Sequence, residues 1–199
     1  MEQFLKDLEV SVLNSSFFYR FTTMEPLQLL KHFRADRCWS AVSDSDFVQF
    51  LEQKPSHFHN MIGLALTDCP NYSWRAAWLI ARTVEFNDFR VKPYRLKIIR
   101  SLQGKSSGHQ RELLKLIVQS QLTQHQEGCL FDVCVSIWEN QSKKAGTRYF
   151  AFQYIVKILQ KHPELIAESN ALFDESQLHS LSPGVQRTVR KRLDCLFNP

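Results

Sequence analysis

Residues that interrupt helices are scarce in this chain, with only 6 Gly and 7 Pro among 199 residues. Folds built from sheets turn often and place glycine and proline at those turns, so the scarcity argues against an all-β or α/β architecture. Long apolar runs are absent too, and none approaches the roughly 18 consecutive residues that a membrane-spanning helix needs. The opening stretch MEQFLKDLEV is acidic and amphipathic, without the basic-then-apolar layout of a secretory leader. The cysteines (Cys38, Cys69, Cys129, Cys134 and Cys195) are odd in number and irregularly spaced. Such a set speaks against a secreted disulfide framework and predicts reduced thiols in a cytoplasmic protein with no membrane segment.

What the chain does contain is material for a core. Hydrophobic residues make up 44% of it and aromatic residues 12%, and Phe alone supplies 15. The apolar positions recur at spacings of three and four, and sustained alternation is absent, which predicts an all-α protein. In the first 70 residues the predicted helices are short and irregular, marked by Leu5, Leu8 and Val12, then by Leu29, Leu30 and Phe33. Phe47, Phe50 and Leu51 mark a third helix, opened by the capping oxygens of Ser43-Asp44-Ser45-Asp46, and Met61, Leu64 and Ala65 a fourth.

From Ser73 a repeat emerges. A shift of 75 residues pairs Ala76 with Ala151, Leu79 with Tyr154, Ile80 with Ile155, Val84 with Leu159 and Arg82 with Lys157. Half that shift lands on Leu113, Leu114, Leu116 and Ile117. Each copy (the first over 73–86) is followed by a second helix, near 91–103, 128–139 and 163–173. Two antiparallel helices every ~37 residues predict a HEAT-like α-α superhelix, a short solenoid. The helix from Ser73 supports this, because Trp74, Ala77, Trp78, Ile80, Ala81 and Val84 cover too wide an arc for one-sided packing. The expected organisation is a single all-helical domain over 1–199, with irregular helices over 1–70 and about three helix pairs over 71–199. A capping helix follows Ser182-Pro183, with Val185, Val189, Leu193 and Leu196 inward and Arg187, Arg190, Lys191 and Arg192 outward.

Chemical motifs are weak. Gly104-Lys105-Ser106 imitates the end of a phosphate-binding loop, but Ile99 stands where that loop needs glycine. Gly104 is instead expected to end a helix in a left-handed turn. Cys129 and Cys134, like His57 and His59, lack a second ligand pair, so no metal site is expected. The two thiols read as small core residues and the two histidines as surface residues at a helix start. Glu85, Asp88, Asp132 and Glu139 form no acid–base constellation, and Asp132 alone interrupts an apolar helix. No cofactor and no enzymatic activity are expected. Trp74 and Trp78, one turn apart, read as core anchors, or alternatively as an aromatic platform.

Charge supplies the functional candidate. Residues 1–70 carry 6 Lys/Arg against 9 Asp/Glu, and residues 71–199 carry 19 against 11. Between Arg90 and Lys115 the cations face Glu112 alone. Arg90, Lys92, Arg95, Lys97, Arg100, Lys105 and Arg111 form the candidate binding surface, with Arg148, Arg187 and Arg190 as secondary candidates. The plain alternative is a solvated helix face.

Three blocks, SWRAAWLIARTVE, YRLKIIRSL and RYFAFQYIVKILQKHPEL, resemble a family of short bacterial HEAT-like proteins over about residues 70–196. That family repeats a Ser-Trp-Arg-Ala-Ala-Trp helix, a basic helix and a Phe-Ala-x-Gln helix ending in Pro-Glu-Leu. Here Tyr94-Arg95 stands where the middle motif has Lys-Arg. The resemblance implies an α-solenoid with no assigned activity. Some members carry an adenylosuccinate lyase label, but this chain lacks the Ser-Ser-x-Met-Pro-x-Lys loop and the length of that enzyme. A more distant similarity links it to HEAT-like alkylpurine DNA glycosylases, which bind duplex DNA along a basic concave face. The expected function is therefore a non-enzymatic scaffold binding an extended or acidic protein partner, with nucleic-acid binding through Arg90–Lys115 as the alternative.

Overall fold

The computed structural model describes residues 44–69 and 72–197, with residue 28 standing alone before them. The helices expected at Leu5–Val12 and Leu29–Phe33 lie outside the described residues. The chain forms two compact units, Met1–Val84 and Glu85–Pro199.

In the first unit, α1 (Asp44–Gln53) starts within the expected Ser/Asp run and buries Phe47, Phe50 and Leu51. Pro55 opens α2 (Pro55–Leu66) at the position where its missing N–H removes no helical bond. That helix buries Phe58, Met61, Ile62 and Ala65. A polar turn leads on, with Cys69 N donating to Ser73 Oγ at 2.9 Å. Then α3 (Ser73–Thr83) packs on α1 and α2 through Ala76, Ala77, Leu79 and Ile80, small residues letting the helix axes approach. It stops short of residue 86. Thr83 Oγ1 donates back to Leu79 O at 3.0 Å, and Val84 is already extended.

The second unit opens with a 3-10 turn, Phe89–Tyr94, followed by α4 (Arg95–Ser101). The helix expected over 91–103 is thus split, because Pro93 has no N–H to give an α-helical ladder. Gly104 follows at φ 78°, the left-handed turn that its sequence position predicts. Next come α5 (Ser107–Val118), α6 (Gln124–Glu139) and α7 (Ala145–Lys161). Thr123 and Gln126 form a reciprocal capping box that fixes the start of α6.

Packing follows the logic of stacked pairs. Neighbours α6 and α7 pair through a short connection, while α4 lies on α6 and α5 on α7, two elements apart. The expected continuous helix over 163–173 is instead a 3-10 turn, α8 (Ile166–Ser169) and a second 3-10 turn. Ser169 Oγ bonds back to Leu165 O at 2.8 Å, the competition with the backbone that shortens helices. After α9 (Glu175–His179), α10 (Pro183–Phe197) covers α7, burying Val189, Leu193 and Leu196 and exposing Arg187, Arg190, Lys191 and Arg192.

Hydrogen bonds join positions about one repeat apart. Asn87 N donates to Gln119 O at 2.8 Å, and Thr147 Oγ1 donates to Ser107 O at 2.7 Å. Trp138 Nε1 donates to Leu172 O at 2.6 Å. These bonds fix the register of successive layers. Trp138 also anchors the aromatic core of this unit, its ring centroid 5.2 Å from that of Phe152 and 6.1 Å from that of Phe173.

Candidate functional site

Several of the expected surface cations are committed to the fold. Arg90 Nη2 lies 2.6 Å from Asp88 Oδ2, and Asp88 also caps the 3-10 turn by accepting from Arg90 N at 2.9 Å. Burial pushes the Asp88 carboxyl up, but the hydrogen bonds and charge of Arg90 outweigh it and hold the group below its ordinary value. Arg95 is buried, donating to Asn87 Oδ1 at 2.7 Å. Lys105 is buried as well. Arg111 and Lys115 clamp the buried carboxylate of Glu112 at 2.9 and 3.0 Å. Lys92, Lys97 and Arg100 remain exposed, with no ion pair among the described residues.

The secondary candidates divide similarly. Arg187 is exposed, and Arg190 is exposed but bidentate to Glu175 at 2.8 and 2.6 Å. Arg148 is wholly buried and cannot meet a partner. Its guanidinium donates to Trp138 O at 2.7 Å, to Gln177 Oε1 at 2.7 Å and to Ser180 Oγ, and stacks on the Trp138 ring. Burial lowers its pKa from the ordinary value.

Other expectations are corrected. Trp74 is no core anchor: it is 38% exposed, under the Arg75 guanidinium at 4.6 Å. Trp78 is half-buried beneath Arg82 at 4.4 Å. His57 is buried, not superficial, stacked on Phe50 with its Nδ1 2.8 Å from Phe50 O, since the turn at Pro55 aims it at α1. Cys134 is a core thiol pushed up in pKa by burial, whereas Cys129 is half-buried with Sγ 3.7 Å from His125 Nε2. Asp132 is exposed. Among the described residues no group of His, Cys, Asp and Glu is placed to hold a metal ion.

An open concavity lies elsewhere among the described residues, along the exposed face of α6. A groove of about 780 Å³ runs between α6 and the 163–173 segment. Phe131, Val135, Leu165 and Leu172 line it with half-buried apolar surface, and Asp132, Glu139 and Glu168 line it as exposed carboxylates. A smaller recess of about 220 Å³ shares Ser136 and Asn140 with it and reaches Gln103, Gly104 and Gln110 at the end of the preceding pair. A third hollow, sharing Phe131 and Leu165, extends toward Gln124 and His162. The concavities therefore follow the second helices of successive pairs. Its sequence signal was slight, since Phe131 and Val135 at i and i+4 read as ordinary core spacing.

The stacked pairs identify the chain's relatives. A family profile for the HEAT repeat domain matches residues 40–195. The chain belongs to this family. No curated protein and no solved structure matches it. The HEAT match covers residues of both units, including helices α1 and α2 that sequence periodicity left outside the repeats. Within the HEAT domain, among the described residues, no helix is long and apolar enough to cross a membrane.

Proposed function

We propose that this HEAT domain is a protein-interaction module, and that an extended segment of a partner docks in the groove along α6. HEAT repeats generally serve as interaction scaffolds. The observation that carries the placement is the apolar lining of Phe131, Val135, Leu165 and Leu172, which stays open to solvent on a rigid helical wall. No catalytic role is proposed. An acidic partner or a nucleic acid has less support, because Arg90, Arg95, Lys105 and Arg111 are paired or buried and leave Lys92, Lys97 and Arg100 exposed. Free thiols at Cys69, Cys129, Cys134 and Cys195 fit a reducing compartment such as the cytoplasm.

The test is selection of binders from a phage-displayed library of random short peptides on the full chain. Peptides should be enriched whose binding is lost in Val135→Asp, a half-buried position, with the variant's fold checked by its thermal melt. Peptides that bind Val135→Asp as well as the parent would place the working surface elsewhere.

A further inference from the structure

The groove carries its own statement about what fits it. Its apolar strip is bordered by Asp132 and Glu139 on α6 and by Glu168 on α8, and all of these carboxylates are exposed. No ion pair involves them among the described residues. Neutralising cations on the same helix are missing too, because residues 124–139 contain no Lys or Arg. Beside an apolar wall, a row of like charges attracts a cationic occupant and repels an acidic one.

A second observation points the same way from the adjoining recess. Gln110 lines that recess and is 2% exposed. Its Nε2 donates to Leu102 O at 2.8 Å, which fixes the orientation of the amide, since a flip would set oxygen against oxygen. Its Oε1 is consequently directed away from that carbonyl, and it is buried with no hydrogen-bond partner. A buried acceptor left unsatisfied is costly, and a donor entering the recess would relieve it. Lys143 also lines the recess, its Nζ donating to Lys105 O at 3.2 Å, so the recess suits an uncharged hydrogen-bond donor such as a backbone amide rather than a Lys or Arg head. It joins the groove at Ser136 and Asn140.

We propose that the occupant is a basic, apolar-anchored segment of a protein partner. Its Lys or Arg side chains pair with Asp132, Glu139 and Glu168, its apolar side chains rest on Phe131, Val135 and Leu172, and one of its N–H donors reaches Gln110 Oε1. This inference rests on the docking reading above and adds the sign of the partner's charge. Lys143 lines the recess and places positive charge there, so the segment's basic residues belong at the acidic end of the track.

The peptides enriched on the full chain supply the test. Their sequences should be rich in Lys and Arg with at least one large apolar residue. Fluorescence anisotropy of an enriched peptide should show affinity falling about tenfold or more in the double variant Glu139→Lys, Glu168→Lys, as expected for loss of close charge pairs. Binding should weaken with salt, and Gln110→Met, checked by its melting temperature, should weaken it about fivefold. Enriched peptides that are neutral or acidic, or that bind the double variant unchanged while losing affinity for Val135→Asp, would overturn the basic-segment inference and leave the groove as a docking site. Peptides indifferent to Val135→Asp would overturn both.

Discussion

Asn87 and Arg148 show how much of this fold rests on single polar side chains. Asn87 sits at φ 59°, a conformation that asparagine tolerates better than most residues. Its Oδ1 accepts from Gln121 N at 3.0 Å and Arg95 Nη2 at 2.7 Å, and its Nδ2 donates to Gln121 Oε1 at 3.2 Å. Asn87→Gly keeps the backbone conformation and loses the side-chain bonds, so it should cost about 1–2 kcal/mol in urea denaturation. Asn87→Ala should cost roughly 1 kcal/mol more, because alanine adds left-handed strain. Arg148→Leu should destabilise by about 3 kcal/mol, since Trp138 O and the Gln177 oxygens lose their donor in the interior. Neither role was legible in the sequence. The partners of Arg148 stand at Gln177 and Ser180, far along the chain, and helical spacing says nothing of what a later segment brings back. Cation density pointed at Arg95 and Lys105, and Arg148 was a secondary candidate, yet packing buried all three.

Among the elements, the long helices were the most legible because their apolar period is uninterrupted. The starts of α1 and α10, the turn at Gly104 and the buried stripe of α10 all follow from caps, proline and glycine that act locally. The failures lie where short polar residues compete with the backbone, at 163–173, or where Pro93 converts a helical turn to 3-10. Helix α6 offers a direct check on its two faces. In native protein a thiol reagent should modify Cys129 and leave Cys134 unmodified, and Cys134 should react only on unfolding, as mass spectrometry of the labelled peptides would show. The 3-10 turn offers another, through acid. The Asp88 carboxyl titrates below its ordinary value of 3.8, so its pairing with Arg90 stabilises fully above that value and is lost as pH falls through the lower, folded one. Asp88→Asn should therefore lose less stability than the parent between about pH 5 and about pH 2, measured by urea midpoints.

For the whole molecule, the fold class was legible and the groove proposed as a docking site was not. Repeat period and helix pairing follow from the pattern of Leu, Ile, Ala and Phe, which is redundant along the chain. The groove depends on which apolar residues are left over after packing, and Phe131 and Val135 look no different in sequence from Leu130 and Cys134 beside them. A gel shift with generic duplex DNA separates the remaining alternatives at this scale. With Lys92, Lys97 and Arg100 as the exposed cations of the basic stretch that make no ion pair among the described residues, no shift is expected at about 50 mM salt, where non-specific electrostatic binding is strongest. A clear, salt-sensitive shift lost in Lys97→Glu, Arg100→Glu would revive the nucleic-acid reading. The bonds between residues one repeat apart carry a further consequence. Asn87 to Gln119, Ser107 to Thr147 and Trp138 to Leu172 each act as a clasp across a seam between layers. Under mechanical tension, the second unit should therefore lengthen in discrete steps, one released clasp at a time, while the helices on either side of each seam stay wound.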